Sequence, residues 1–161
     1  MYFKTVLFIA VIVLTAFAAP SNIAQLRSEY LKAESNSGSV DKLMSLTNGQ
    51  TDALSKAYRG AAWAFKAKHH INPAKKLDYV KTGLLTLNQA VTIDSKDIEV
   101  RFIRFSIEEN IPSIVSFTSH LKEDKQYILD NIDKNHGFYS TIKGYMMQSK
   151  NLSSAEKSKL N

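Results

Sequence analysis

Three groups of side chains in this 161-residue chain are of types that do chemistry. Lys66, Lys68, His69, His70, Lys75 and Lys76 crowd one short stretch. Arg101, Arg104, Glu108 and Glu109 share another, and His120 and His136 stand apart from both. Metal ligands on a helix sit three or four positions apart so that they share a face. His69 and His70 are adjacent and point apart, so they are read as capping the last carbonyls of the helix they follow. Neither His120 nor His136 has a second histidine three or four positions away. No metal site and no cofactor is expected.

Glu108 and Glu109 have the composition of an acid–base pair of the glycosidase kind, but neighbours on one helix diverge. Arg104 and Glu108 lie at i, i+4, as do Asp97 and Arg101. That spacing predicts ion pairs within the helix. A hydrolase would need the fold to gather Arg101, Arg104, Glu108 and a histidine into one pocket. The chain has no Gly-x-Ser-x-Gly, no phosphate loop of the Walker type and no cysteine, which excludes thiol chemistry. No catalytic residue is assigned.

The lysines point to an anionic partner. Between Lys56 and Ile93 seven basic side chains face one acidic one. Between Asp94 and Asp133 nine acidic side chains outnumber five basic ones. A surface of that kind either steers an anionic partner (lipid head groups, polysaccharide or an acidic protein) or simply stays solvated. Nucleic acid is a poor fit despite the basic pI, because the basic residues lack interleaved aromatics for base stacking.

The N-terminus narrows the partners further. Lys4 precedes an apolar run from Val6 to Phe17, and Ala16-Phe17-Ala18 ends it with small residues at the positions a signal peptidase reads. That layout predicts a secretory signal over 1–18, cleaved after Ala18. The run is short of the roughly 20 residues a spanning helix takes. Without cysteine there is neither a lipoprotein signal nor a disulfide. The expected product is a periplasmic or secreted domain over 19–161, stabilised by packing alone.

Past the signal the apolar residues recur with helical spacing, and no segment alternates with period two. Ile23, Leu26 and Tyr30 mark a first helix. Ser35–Ser39 reads as a flexible break, followed by a short helix from Val40 that Asn48-Gly49 stops. Thr51 reads as the N-cap of a helix with an unbroken stripe from Ala53 to Phe65. Trp63 falls off that stripe, which predicts a helix contacted on two sides, central in the domain. Asn72-Pro73 opens the next helix. Further helices follow after Asp94-Ser95, from Pro112 (Ile114, Val115, Phe117), around Tyr127 and Ile128, and from Phe138 to Met146. Ser153 and Glu156 form a capping-box pattern at the last one. The fold class is all-α, antiparallel helix pairs joined by short turns.

Gly60 with Trp63, and Gly83 with Leu87 and Ala90, carry the small–large spacing of a helix–turn–helix pair. In this the chain resembles the tetratricopeptide repeat, a 34-residue unit. The resemblance implies paired helices that approach closely at the small residues, with Ser95 at the turn position usually held by proline. Gly60 and Gly83 are farther apart than in a standard unit, and the surplus falls around Lys66 to Lys76. In the following helix Phe105 stands where a small residue belongs and Glu108 where an aromatic belongs, so the resemblance covers one expanded unit and one degenerate successor. The stretches Ala57–Ala62, Ala90–Asp94 and Val100–Arg104 are also similar to a group of small exported bacterial proteins of unknown function, a likeness that implies an envelope location and no activity. Repeat hairpins of this kind bind peptides or proteins. The expected function is a non-enzymatic interaction module of the envelope, with self-association allowed. An anionic lipid or polysaccharide bound through the basic hairpin is the alternative.

Overall fold

The computed structural model describes residues 22–112 and 119–160. The N-terminal apolar run and the helix expected from Pro112 lie outside them. Among the described residues there are eight helices and no strand: α1 (Ile23–Ala33), α2 (Ser37–Leu46), α3 (Ala53–His69), α4 (Pro73–Ile93), α5 (Ile98–Glu109), α6 (Leu121–Asn131), α7 (Tyr139–Gln148) and α8 (Ser154–Ser158). None of these is long and apolar enough to cross a membrane.

The boundaries follow local chemistry. The Asn72 side chain accepts the N–H groups of Ala74 and Lys75 at 2.9 and 3.2 Å, and Pro73 occupies the first turn of α4. Gly49 ends the α2 segment with φ of 73°, a conformation glycine adopts without steric cost. Ser153 and Glu156 close the capping box at α8. Two boundaries differ from the sequence reading. The break between α1 and α2 is confined to Glu34–Asn36: α2 begins at Ser37, because the Asn36 side chain accepts the Gly38 and Ser39 N–H groups and starts the helix there. The cap of α3 is Asp52 and not Thr51, its carboxylate accepting the Ser55 N–H at 2.8 Å.

Helix α3 is the centre, packed against α1, α2, α4 and α5. Its stripe residues Ala57, Tyr58, Ala61 and Ala62 are fully buried. The closest pairing is with α4. A methyl group added at Gly60 would lie 2.9 Å from the Gly83 carbonyl oxygen, and one added at Gly83 would lie 2.8 Å from that of Gly60. The two glycines face each other at the helix crossing, and Leu87 fills the space beside Gly60. The residues from Lys66 to Lys76 form no long loop. They extend α3 and α4 past the crossing to a tight turn at 70–72.

Helix α5 is enclosed on every side: each residue from Ile98 to Glu108 is buried. Phe102 and Phe105 meet Tyr145 of α7, and Phe102 also meets Phe138 at the start of α7. Tyr30 of α1 stacks edge-on against Tyr58 and Phe138, so one aromatic cluster joins α1, α3, α5 and α7.

Candidate functional site

The long α3–α4 hairpin presents two different faces. On one, Trp63 stacks on Tyr79 with ring centroids 5.5 Å apart, and the Lys66 ammonium lies over both rings at 5.3 and 5.4 Å. The other face turns toward the C-terminal ends of α1 and α5. Between these three elements lies a cavity of about 600 Å³, open to solvent along one side. That size is in the range of sites that hold small ligands or peptide side chains.

The walls are apolar. Tyr30 and Leu31 come from α1, Phe65 from α3, Leu77 and Val80 from α4, and Ile107 from α5. Leu31 is 57% exposed and Leu77 39%, both much more than core leucines of this chain. The polar groups lining the groove are used up internally. The Tyr30 and Ser106 hydroxyls are hydrogen-bonded at 2.6 Å, and Asn110 Nδ2 donates to the Tyr145 hydroxyl at 2.7 Å. Burial pushes the Tyr30 phenol up to about 12, so it stays a neutral hydroxyl. Glu34, Lys68 and Lys76 form the charged rim, where Lys68 donates to Glu34 at 2.8 Å.

The six basic candidates therefore divide. Lys68 and Lys76 line the groove. Lys66 belongs to the opposite, aromatic face, and Lys75 is exposed near the turn. His70 caps the end of α3 through its backbone N–H, which donates to the Ala67 carbonyl oxygen, whereas the two imidazoles turn elsewhere. His69 Nε2 lies 2.9 Å from the Ala33 carbonyl oxygen, tying the hairpin to α1. His70 Nδ1 accepts the Asn72 N–H at 3.1 Å and shapes the turn.

Arg101, Arg104 and Glu108 are gathered, but the pairs within the helix do not form. Both arginines turn to α6. Arg104 donates to Asp124 through Nε at 2.7 Å and Nη2 at 2.8 Å, and Arg101 donates to Asp124 at 2.9 Å and also to Glu123. Asp97 instead caps α5, accepting the Glu99 and Val100 N–H groups. Glu108 accepts the His120 backbone N–H at 2.6 Å and meets its Nδ1 at 2.8 Å. The reason is burial: a guanidinium enclosed with α5 needs a fully desolvated carboxylate, and Asp124 is 0% exposed. A shallow hollow of about 590 Å³ opens over Arg101, His120, Glu123 and Tyr127, and at its border Arg101 is already paired with Glu123.

A second buried charge escaped the sequence reading. Glu99 is 1% exposed and receives the Arg27 guanidinium at 2.6 and 3.0 Å, together with the Tyr58 hydroxyl. His136 Nε2 stands 3.8 Å away. The only hint in the sequence is that Glu99, Arg101, Arg104 and Glu108 are interleaved with Val100, Phe102, Ile103, Phe105 and Ile107, a charge pattern with no polar face to carry it. Among the described residues no three metal-ligating side chains converge.

Comparison with protein-family models, with curated proteins and with solved structures finds no match for the chain.

Proposed function

We propose that this chain is an exported, non-enzymatic interaction module of the cell envelope, built on an expanded tetratricopeptide-like hairpin, that receives an apolar segment of a protein or peptide. The groove between α1, the α3–α4 hairpin and α5 carries this reading. It is large enough for two or three apolar side chains, the hydroxyls and the amide on its walls are hydrogen-bonded internally, and Leu31 and Leu77 stand exposed at its mouth. An apolar surface that a fold leaves open beside a polar rim is a recognition feature. The one lining serine, Ser106, is hydrogen-bonded to Tyr30 and to the Ile103 carbonyl oxygen. The Arg101–Arg104–Glu108 group is spent in ion pairs that join α5 to α6 and the segment leading into it, which counts against the hydrolase reading.

Selection from a displayed random-peptide library tests the reading. Recovered peptides should share two or more apolar residues, and Leu77→Asp should weaken their binding by at least about tenfold, since it places a charge on the groove wall. Failure to select any peptide, or equal binding by Leu77→Asp and by an exposed control such as Leu85→Asp, overturns it.

A further inference from the structure

The turn that joins α3 to α4 has a feature that the groove does not use. Ile71 is 94% exposed, the most exposed of the large apolar side chains among the described residues. The turn around it is built to hold it outward: Asn72 caps α4, Pro73 sets its first residue, and the His70 ring accepts the Asn72 N–H. Both helices run about 15 Å beyond the Gly60–Gly83 crossing to reach this point. Lys68, Lys75 and Lys76 lie within a helical turn of it. Lys68 is paired with Glu34, whereas Lys75 and Lys76 make no ion pair among the described residues.

We infer that the tip of the α3–α4 hairpin docks on an anionic lipid surface, with Ile71 entering the interfacial region and Lys75 and Lys76 facing the head groups. An exposed aliphatic side chain at the end of a projecting hairpin, with lysines on the adjoining turns of its two helices, matches the two layers of a bilayer interface. A soluble polyanion would engage the lysines and leave Ile71 in water. One isoleucine and two or three lysines make a weak, reversible contact, with half-binding at about millimolar lipid. This shares only the rim lysines with the groove and does not rest on its apolar walls, so a wall variant such as Val80→Ala should leave it intact.

Co-sedimentation of the full chain with phosphatidylcholine vesicles, with and without phosphatidylglycerol, tests it. Binding is expected only with phosphatidylglycerol, and it should weaken steeply as salt rises from about 0.05 to about 0.5 M. Lys75→Gln with Lys76→Gln should lower affinity roughly thirtyfold, and Ile71→Ser by about tenfold. All three positions are exposed, and an unchanged unfolding temperature checks that the variants fold. Trp63 is the single tryptophan, so Ile71→Trp in a Trp63→Phe background places one fluorophore at the tip. Quenching of that fluorophore by brominated acyl chains is expected. Equal binding to neutral vesicles, or binding indifferent to Ile71→Ser, overturns the inference, the latter being the result if the apolar N-terminal run carries the attachment. Salt-sensitive binding that leaves the tip fluorophore unquenched also overturns it, because contact would then be through charge alone.

Discussion

The α3–α4 hairpin and the α5–α6 pair are held together by opposite means. In the hairpin two backbones approach at Gly60 and Gly83, and the seam contains Leu87 and the Cβ of Trp63. In the α5–α6 pair a helix enclosed on all sides keeps two arginines and two glutamates inside the protein, with Asp124 joining both arginines from the neighbouring helix. Shape complementarity of small residues is tolerant of solvent and pH but intolerant of a single added carbon. A buried ion lattice fits many side-chain volumes but fails when one charge is removed. The chain uses the first where two long helices must project as a rigid tip and the second where α6 must be fixed to the core.

The sharpest way to separate them is to remove Asp124. Asp124→Ala leaves Arg101 and Arg104 without their shared partner in a buried site, at a cost of about 3–5 kcal/mol in urea unfolding. Replacing the ions together, with Asp124→Leu and Arg104→Met, should cost clearly less than the two single changes added, because Arg104 and Asp124 then leave no charge orphaned against each other and Arg101 keeps Glu123. Additive losses would mean that Arg104 and Asp124 are not coupled, and the contrast between the regions would collapse.

The converse test adds one methyl group to the hairpin. In Gly60→Ala the new carbon would lie 2.7 Å from Leu87 Cγ and 2.9 Å from the Gly83 oxygen, and the latter is backbone that cannot rotate away. Overpacking costs about 1–3 kcal/mol and improved helix propensity returns up to about 1, so a net loss of about 1–2 kcal/mol is expected. Gly144→Ala on α7 is the control: nothing lies within 4 Å of its added carbon, so it should stabilise by about 0.5–1 kcal/mol. Two substitutions of one kind with opposite signs in thermal unfolding would establish the close crossing, and like signs would refute it.

This contrast also decides what was legible beforehand. The hairpin could be read because its determinants are short-range: glycines and large residues at fixed helical offsets, Asn72-Pro73 at the turn, Gly49 at a helix end. The all-α class and the central place of α3 came from the same periodicity. The ion lattice was misread because Arg104 and Glu108 offer each other a local partner at i, i+4, while their actual partners Asp124 and His120 lie on the far side of Pro112. Burial, which spacing does not encode, chose the distant pair. The groove was illegible for a related reason. Tyr30, Phe65, Val80 and Ile107 come from four helices, and nothing in any one of them marks a wall left open.

A smaller effect sharpens the comparison from the polar side. Ser55 is buried near the start of α3, and its hydroxyl has no hydrogen-bond partner among the described residues. Ser55→Ala should be neutral or stabilise by up to about 1 kcal/mol, the reverse of Asp124→Ala, since it removes a desolvated group that gains nothing. A loss above about 1 kcal/mol in urea unfolding would reveal a bond the structure does not contain.

Acid should distinguish the two regions most gently. The Arg101 guanidinium holds the Glu123 carboxyl below its ordinary range, and Lys125 with the Ser153 backbone holds Glu156 down to about 2. Burial pushes Glu109 up, but hydrogen bonds from Ser149 and Asn151 outweigh it and its net direction is down. For each, the unfolded chain binds a proton more readily than the folded one, so stability is fully present above about pH 4.5 and drains away as pH falls through the folded values. Asp97 runs the other way: burial raises it, and acid relieves that strain. With Glu123 on α6, Glu156 on α8 and Glu109 at the end of α5, the C-terminal half should loosen first. Glu123 and Glu156 lie near the surface, where solvent screens their pairing, so the change is modest. Hydrogen exchange followed from pH 7 toward pH 3 should show α6 and α8 losing protection while the α3–α4 crossing keeps it. Loss from the crossing first would show that acid acts through the hairpin and not through the ions that fasten α6 and α8.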